Sequence, residues 1–322
     1  MNLPTHIYHA DWGTDSRKRW LSRAQLRSDG SYIAEAPRPV GDHTGLIPSI
    51  RNDIGSKGCA LVGFDFPIGI PASYARLAGT TDFKSFLQGL SKGGWPNFHV
   101  VARTASEISI QRPFYPFAPG QKRQAHLLSA LGVDSIEDLR RECEKQQPGR
   151  RAACPLFWTL GANQVGKGAI VGWRDVLAPA LNDGNDTLLW PFDGPLHELF
   201  QPGKIVIAET YPAECYGWFF GPLKGKGRQE VRRAVSAPLL ERAQSIGLEL
   251  EPTLVAAIQC GFPQGDDAFD AVVGLFGMIE VVAGRRRSGE PKEDRIRKLE
   301  GWILGQTPEM TLRDDSGRAV PR

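Results

Sequence analysis

Three short apolar runs of the chain each end in an acid. His6-Ile7-Tyr8-His9-Ala10 leads into Asp11-Trp12-Gly13, Cys59-Ala60-Leu61-Val62-Gly63-Phe64 leads into Asp65, and Ile205-Val206-Ile207-Ala208 leads into Glu209. Runs of this length and make-up predict strands. The unbroken apolar character of the second and third predicts burial on both faces. Arg19–Arg27 and Ser31–Ala36 alternate roughly between apolar and polar about the turn signal Ser28-Asp29-Gly30, which predicts a hairpin. Helical spacing predicts helices over Gly45–Lys57, Leu127–Lys145 and Gly265–Gly284, with Arg285-Arg286-Arg287 closing the last. Asp266 suits the N-cap of that last helix.

The order strand, hairpin, helix, strand, long insertion, strand, helix implies an α/β protein with a mixed sheet flanked by helices. The core is expected to be discontinuous, from residues 1–67 and 204–304. Residues 68–203 form a loop-rich and helical insertion or cap, with Pro and aromatic residues clustered at Arg112–Gly120 and a polar Gly-rich loop at Gly161–Gly168. A structureless loop of that length is implausible, so the insertion must carry elements of its own. The polar residues 305–322 read as a C-terminal tail, disordered at its end.

Composition narrows the class. The 322 residues are 41% hydrophobic and 23% charged, which fits a packed core. The net charge of +3 excludes a histone-like polycation. Five cysteines without a Cys-x-x-Cys pair speak against a disulfide framework or a zinc site. No signal peptide is read at Met1–His6, and the apolar stretch Ala271–Gly284 is too short to span a bilayer. The expectation is a cytoplasmic protein without a membrane partner.

The acids carry the candidate chemistry. Asp11, Asp65 and Glu209 end strands, where α/β sheets gather ligands. Asp267 and Asp270 are three residues apart on a helix and share a face. Carboxylates that converge without basic partners repel, and a bound divalent cation resolves the repulsion. Oxygen ligands favour Mg²⁺ or Mn²⁺, and two such ions would form the clamp that hydrolyses phosphodiesters. Each acid also has a plain structural alternative. Asp11 can shape a turn, Asp65 can make a satisfied loop contact, Asp267 can serve the helix dipole, and Glu209 can be a lone strand-end charge.

Several short motifs recur in a fixed order. Phe64-Asp65-Phe66-Pro67-Ile68-Gly69-Ile70-Pro71 resembles Asp-x-Pro-Leu-Gly-Leu-Pro, and Glu209-Thr210-Tyr211-Pro212-Ala213 resembles Glu-x-Tyr-Pro-Ala. Asp267–Ala271 resembles Asp-x-x-Asp-Ala, and Glu300-Gly301-Trp302-Ile303 resembles a closing Glu-Gly-Trp-Ile signature. With Asp11-Trp12-Gly13, the chain resembles the domain-of-unknown-function family 429, predicted nucleases of ribonuclease H-like fold, over about residues 6–70 and 204–303. The resemblance implies a ribonuclease H-like core and a metal-dependent nuclease site at Asp11, Asp65, Glu209, Asp267 and Asp270. Asp11 would bridge two Mg²⁺ ions in that arrangement.

The implied partner is nucleic acid or another phosphodiester. Residues 222–233 hold five basic side chains against Glu230, and residues 285–298 hold seven against three acids. Lys224, Arg228, Arg285 and Arg286 are therefore candidate phosphate contacts, with solvated helix ends as the alternative. Lys167, with Asn163 and Gln164, has the same standing in the Gly-rich loop. Phe114, Tyr115 and Phe117 either stack bases or pack the insertion onto the core. Two other functions compete. Asp11-Trp12-Gly13-Thr14-Asp15-Ser16 resembles the first phosphate loop of sugar kinases and ATPases of the same fold class. A nucleic-acid-binding module that has lost its activity is the second.

Overall fold

The computed structural model describes residues 2–147, 150–161 and 165–307. Eight strands form one mixed sheet. They are β1 (His6–Asp11), β2 (Trp20–Leu26), β3 (Tyr32–Ala34), β4 (Arg38–Pro39), β5 (Ala60–Phe64), β6 (Thr187–Leu189), β7 (Ile205–Glu209) and β8 (Leu248–Leu250). The order across the sheet is β6-β7-β5-β1-β2-β3-β8, with β4 pairing β2. β1, β5, β7 and β6 are parallel, and the β1-β2-β3 meander is antiparallel. β2 and β3 are the hairpin expected from the turn at Ser28–Gly30. The two apolar runs at β5 and β7 are neighbouring strands beside β1, buried throughout.

Period-2 alternation splits these central strands between two cores. Tyr8, Ala10, Val62, Phe64, Ile205 and Ile207 face one side, where the insertion packs. Ile7, Leu61, Val206 and Ala208 face the other, with the 17-residue helix Asp266–Val282. This helix, hereafter the site helix, packs across β1 and β2. It comes close because two glycines make room. A Cβ on Gly274 would stand 2.2 Å from the His9 ring, and one on Gly63 would stand 2.5 Å from Met278 Sδ.

Several expectations shift. The site helix begins at Asp266 with Gly265, at φ 131°, as its N-cap, so Asp266 is the first helical residue and not the cap. Leu127–Lys145 is not one helix. A helix over Gln124–Leu131 ends at left-handed Gly132, and single turns follow at Ile136–Leu139 and Glu142–Glu144. The segment 68–203 is continuous with the sheet, since its β6 pairs with β7. The tail expected from residue 305 starts later, because Gly305 and Gln306 are buried. Residues 308–322 of that tail lie outside the described residues, as do Asn163 and Gln164.

The glycine-containing motifs at Phe64–Pro71 and Glu300–Ile303 pack against each other. Ile70 N–H donates to the Leu299 carbonyl at 2.8 Å. A Cβ on Gly69 would lie 2.0 Å from the Glu300 carbonyl oxygen, and one on Gly301 would lie 2.2 Å from that of Ile68. Both glycines have positive φ, 136° and 65°. These motifs are thus a backbone-to-backbone clasp under the site, which only glycine permits.

Candidate active site

The clasp and the site helix bring three carboxylates together at the C-terminal ends of the parallel strands. Asp11 ends β1 and Asp65 follows β5. The register pairs Ala10 with Phe64, so the two acids are lateral neighbours, and Asp65 N–H donates to the Ala10 carbonyl at 3.2 Å. Both stand on the face that the site helix covers, and Asp270 approaches from one turn inside that helix. Asp11 and Asp270 are 8% and 4% exposed.

These groups oppose one another's ionisation. Burial holds the Asp11 carboxyl well above the usual carboxylate range, and Asp270, Asp65 and Asp267 push it further. Burial, then Asp270, raises Asp65 to about 7. Asp270 is also raised by burial, against the pull of Lys226 and Tyr216. Asp267, half-buried at the rim, is raised by burial and by Asp266. Neither Asp11 nor Asp65 has a side-chain hydrogen bond to its carboxylate among the described residues.

Among the described residues, Lys226 alone forms an ion pair with any of Asp11, Asp65 and Asp270. Lys226 places its ammonium on one oxygen of Asp270, and the Tyr216 hydroxyl donates to the other. Burial disfavours the charge on Lys226, but Asp270 outweighs this and raises its pKa. A cavity of about 650 Å³ opens above these groups, lined by Asp65, Lys226, Tyr216 and Asp270, with Trp12, Gly13 and Thr14 from the loop after β1. Arg19 pins that loop by donating to the Gly13 and Thr14 carbonyls at 2.7 and 3.1 Å.

Glu209 stands close enough to Asp65 to raise its pKa, but its two oxygens are already engaged by other groups. Alternation puts it on the insertion face of the sheet, with Ile205 and Ile207, while Asp11 and Asp65 face the site helix. The register pairs Glu209 with Phe64, so the residue beside Asp65 is Thr210. Glu209 is instead clamped by Arg141, a fully buried side chain from the insertion. The two guanidinium nitrogens reach its two oxygens at 2.6 Å each, and Ile68 N–H adds a third bond at 2.7 Å. Arg141 also donates to Glu144 at 2.9 Å and to the Glu300 carbonyl at 3.1 Å. This clamp locks the insertion, β7 and the glycine clasp to one another.

Thr210 and His9 form a third tie. His9 is fully buried between β1 and the site helix. Its Nδ1 lies 3.0 Å from the Ala271 carbonyl and its Nε2 lies 2.9 Å from Thr210 Oγ1. Nδ1–H therefore donates to the carbonyl, and Nε2 accepts from the threonine. Burial keeps the ring neutral, with a pKa lowered to about 3.

The weaker candidates separate. Lys167 is not in a loop. It lies in the helix Gly166–Gly172, lines the same cavity and donates to the Phe117 carbonyl at 3.3 Å. Lys224 is exposed. Arg228 is exposed and pairs with Glu230 at 3.3 Å. Arg285 is exposed and caps the Ser245 carbonyl, while Arg286 is half-buried beside Trp218. Phe114 and Tyr115 are buried packing residues, and Phe117 is half exposed with Arg103 over its ring.

Lys226, Tyr216, Arg141 and His9 are absent from the sequence-derived set of site residues. The sequence signals for Lys226 are its place in the basic segment 222–233 and its glycine flanks, Gly225-Lys226-Gly227. Arg141 carries no sequence signal for the clamp, because Glu209 and the Glu300 carbonyl that it holds lie 68 and 159 residues away. Among the described residues, no group of three or more His, Cys, Asp or Glu side chains is already arranged to hold a metal ion. No helix of the described residues is long and apolar enough to cross a membrane. No protein-family profile matches the chain, and neither does any curated protein or solved structure.

Proposed function

We propose that the chain is a metal-dependent phosphodiester hydrolase acting on nucleic acid, with Asp11, Asp65 and Asp270 as its metal-holding residues and Asp267 at their rim. The observation that carries the reading is the charge imbalance: two strand-end carboxylates, Asp11 and Asp65, and the helix carboxylate Asp270 repel one another, and among the described residues only the Lys226 ammonium pairs with any of the three. The donors are all oxygen, which suits Mg²⁺ or Mn²⁺. When bound, the cation would supply positive charge for phosphoryl oxygens and acidify a water. The motif resemblance to family 429, predicted nucleases of ribonuclease H-like fold, supports the same assignment.

The chain's own groups have distinct tasks in this reading. Tyr216 holds the second oxygen of Asp270 and so keeps that carboxylate turned toward β1. Lys226, flanked by Gly225 and Gly227, would give up Asp270 to a bound cation, and its ammonium would then be available to a substrate phosphate. Lys167 stands across the cavity for a second phosphate contact. Glu209 positions β7 through Arg141 and takes no part in holding the metal.

A panel of single-stranded, duplex and branched DNA and RNA, incubated with Mg²⁺ or Mn²⁺, tests the proposal. Cleavage by the wild type that falls to background in Asp11→Asn and Asp270→Asn supports it. Absence of cleavage on every substrate, or equal cleavage by the variants, refutes it.

A further inference from the structure

A second cavity, of about 640 Å³, adjoins the first and shares Asp65 and Tyr211 with it. Its size lies within the range of about 300–1,000 Å³ that holds small organic ligands. It is too small for a duplex and large enough for one nucleotide. Trp218, Arg286, Ile303 and Gln306 line its far side.

Two features of this wall ask for a ligand. The first is an orphaned acceptor. Gln306 is 4% exposed, and its Nε2 donates to the Cys143 carbonyl at 3.1 Å and to Glu214 Oε1 at 2.9 Å. Those bonds use both amide hydrogens and settle which end of the amide is oxygen. Among the described residues the buried Oε1 has no partner, and native structures rarely leave such an atom unmet. The second is a flat cationic surface. The Arg286 guanidinium lies 3.6 Å from the centroid of the Trp218 ring. Gly305 permits that approach, because a Cβ there would stand 2.8 Å from Trp218 and 3.2 Å from Arg286. Among the described residues, no carboxylate lies within ion-pair distance of Arg286.

We propose that this cavity is a nucleoside subsite. It takes the base of one unpaired nucleotide whose phosphate lies at Asp65. The base stacks on the Arg286–Trp218 pair, as bases do on guanidinium planes and indoles. One of its N–H groups donates to Gln306 Oε1. Substrates with an unpaired nucleotide next to the scissile bond are therefore preferred over continuous duplex. The assignment rests on reading Asp11, Asp65 and Asp270 as the phosphate-processing site.

Calorimetric titration of the full chain with nucleoside 5′-monophosphates and with ribose 5-phosphate, in Mg²⁺, tests the subsite. The nucleotides are expected to bind at least about tenfold more tightly than the sugar phosphate, the size of effect one stacked base supplies. Arg286→Ala and Gln306→Leu should each erase that preference and leave ribose 5-phosphate affinity unchanged. If Gln306→Leu does not fold, Arg286→Ala alone decides. Equal binding of nucleotide and sugar phosphate, no binding of either, or a preference that survives Arg286→Ala overturns the subsite. Metal-dependent cleavage lost in Asp11→Asn, with no base preference, would remove the subsite and leave the hydrolase reading standing. A base preference without cleavage would do the reverse.

Discussion

Lys226 rests its ammonium on Asp270 in a cavity that Asp65 also lines, and Asp11 stands close enough to repel both carboxylates. The lysine is the internal counter-ion of the carboxylate cluster, and its importance depends on how many of those carboxylates are ionised. All three hold their protons to higher pH than free carboxylates do. Lys226→Met is therefore expected to lower Tm clearly at pH 8 and much less at pH 5. Millimolar Mg²⁺ should restore part of the loss at pH 8. Thermal melts at the two pH values check this, and an equal loss at both speaks against the counter-ion role.

Asp65 links stability to function with opposite signs. Its pKa is raised from 3.8 to about 7. The stability linked to its proton is therefore full below pH 3.8 and is lost as pH rises through about 7. At pH 8 the native state holds an ionised carboxylate against its environment. Asp65→Asn should then be more stable than the wild type by about 1–3 kcal/mol at pH 8, with the gain vanishing toward pH 4. The same variant should lose metal-dependent cleavage. Urea denaturation measures the first effect, and destabilisation at pH 8 would contradict it.

His9 works in the other direction. Its pKa is lowered from 6.5 to about 3. Below pH 6.5 the unfolded chain takes up a proton that the native chain refuses. Stability from this residue is present above pH 6.5 and declines by up to ~1.4 kcal/mol per pH unit toward pH 3. His9→Gln removes the titration. The stability gap between wild type and His9→Gln should narrow from pH 7 to pH 5. A constant gap would show that the ring is not held neutral by burial.

How far the sequence led can be read from particular residues. Asp11 and Asp65 were legible because each closes an apolar run, and Asp270 because it follows Asp267 by one turn. Glu209 closes such a run too, but strand-end position does not reveal which face a side chain takes. Parallel register pairs Glu209 with Phe64, and alternation then sends it to the insertion. The three central strands, the hairpin and the site helix follow from apolar pattern and turn chemistry. β6, β8 and the place of the insertion depend on contacts distant in sequence. Arg141 shows why, since its partners are Glu144, Glu209 and the carbonyls of Ile68 and Glu300.

The Arg141–Glu209 pair gives a separable structural prediction. Removing one partner of a buried ion pair costs about 3–5 kcal/mol, because the other charge is left uncompensated. Arg141→Met should destabilise the chain by that amount. The double variant Arg141→Met, Glu209→Gln should recover a large part of it. A double-mutant cycle in urea measures the coupling, and additive losses would mean that the two side chains act independently.

The metal site itself is best tested by a crystal structure of the full chain grown with Mn²⁺. Anomalous scattering from an ion among Asp11, Asp65 and Asp270, with Lys226 displaced from Asp270, is the expected result. Lys226 still seated on Asp270, with no ion among the three carboxylates at saturating Mn²⁺, would contradict the assignment.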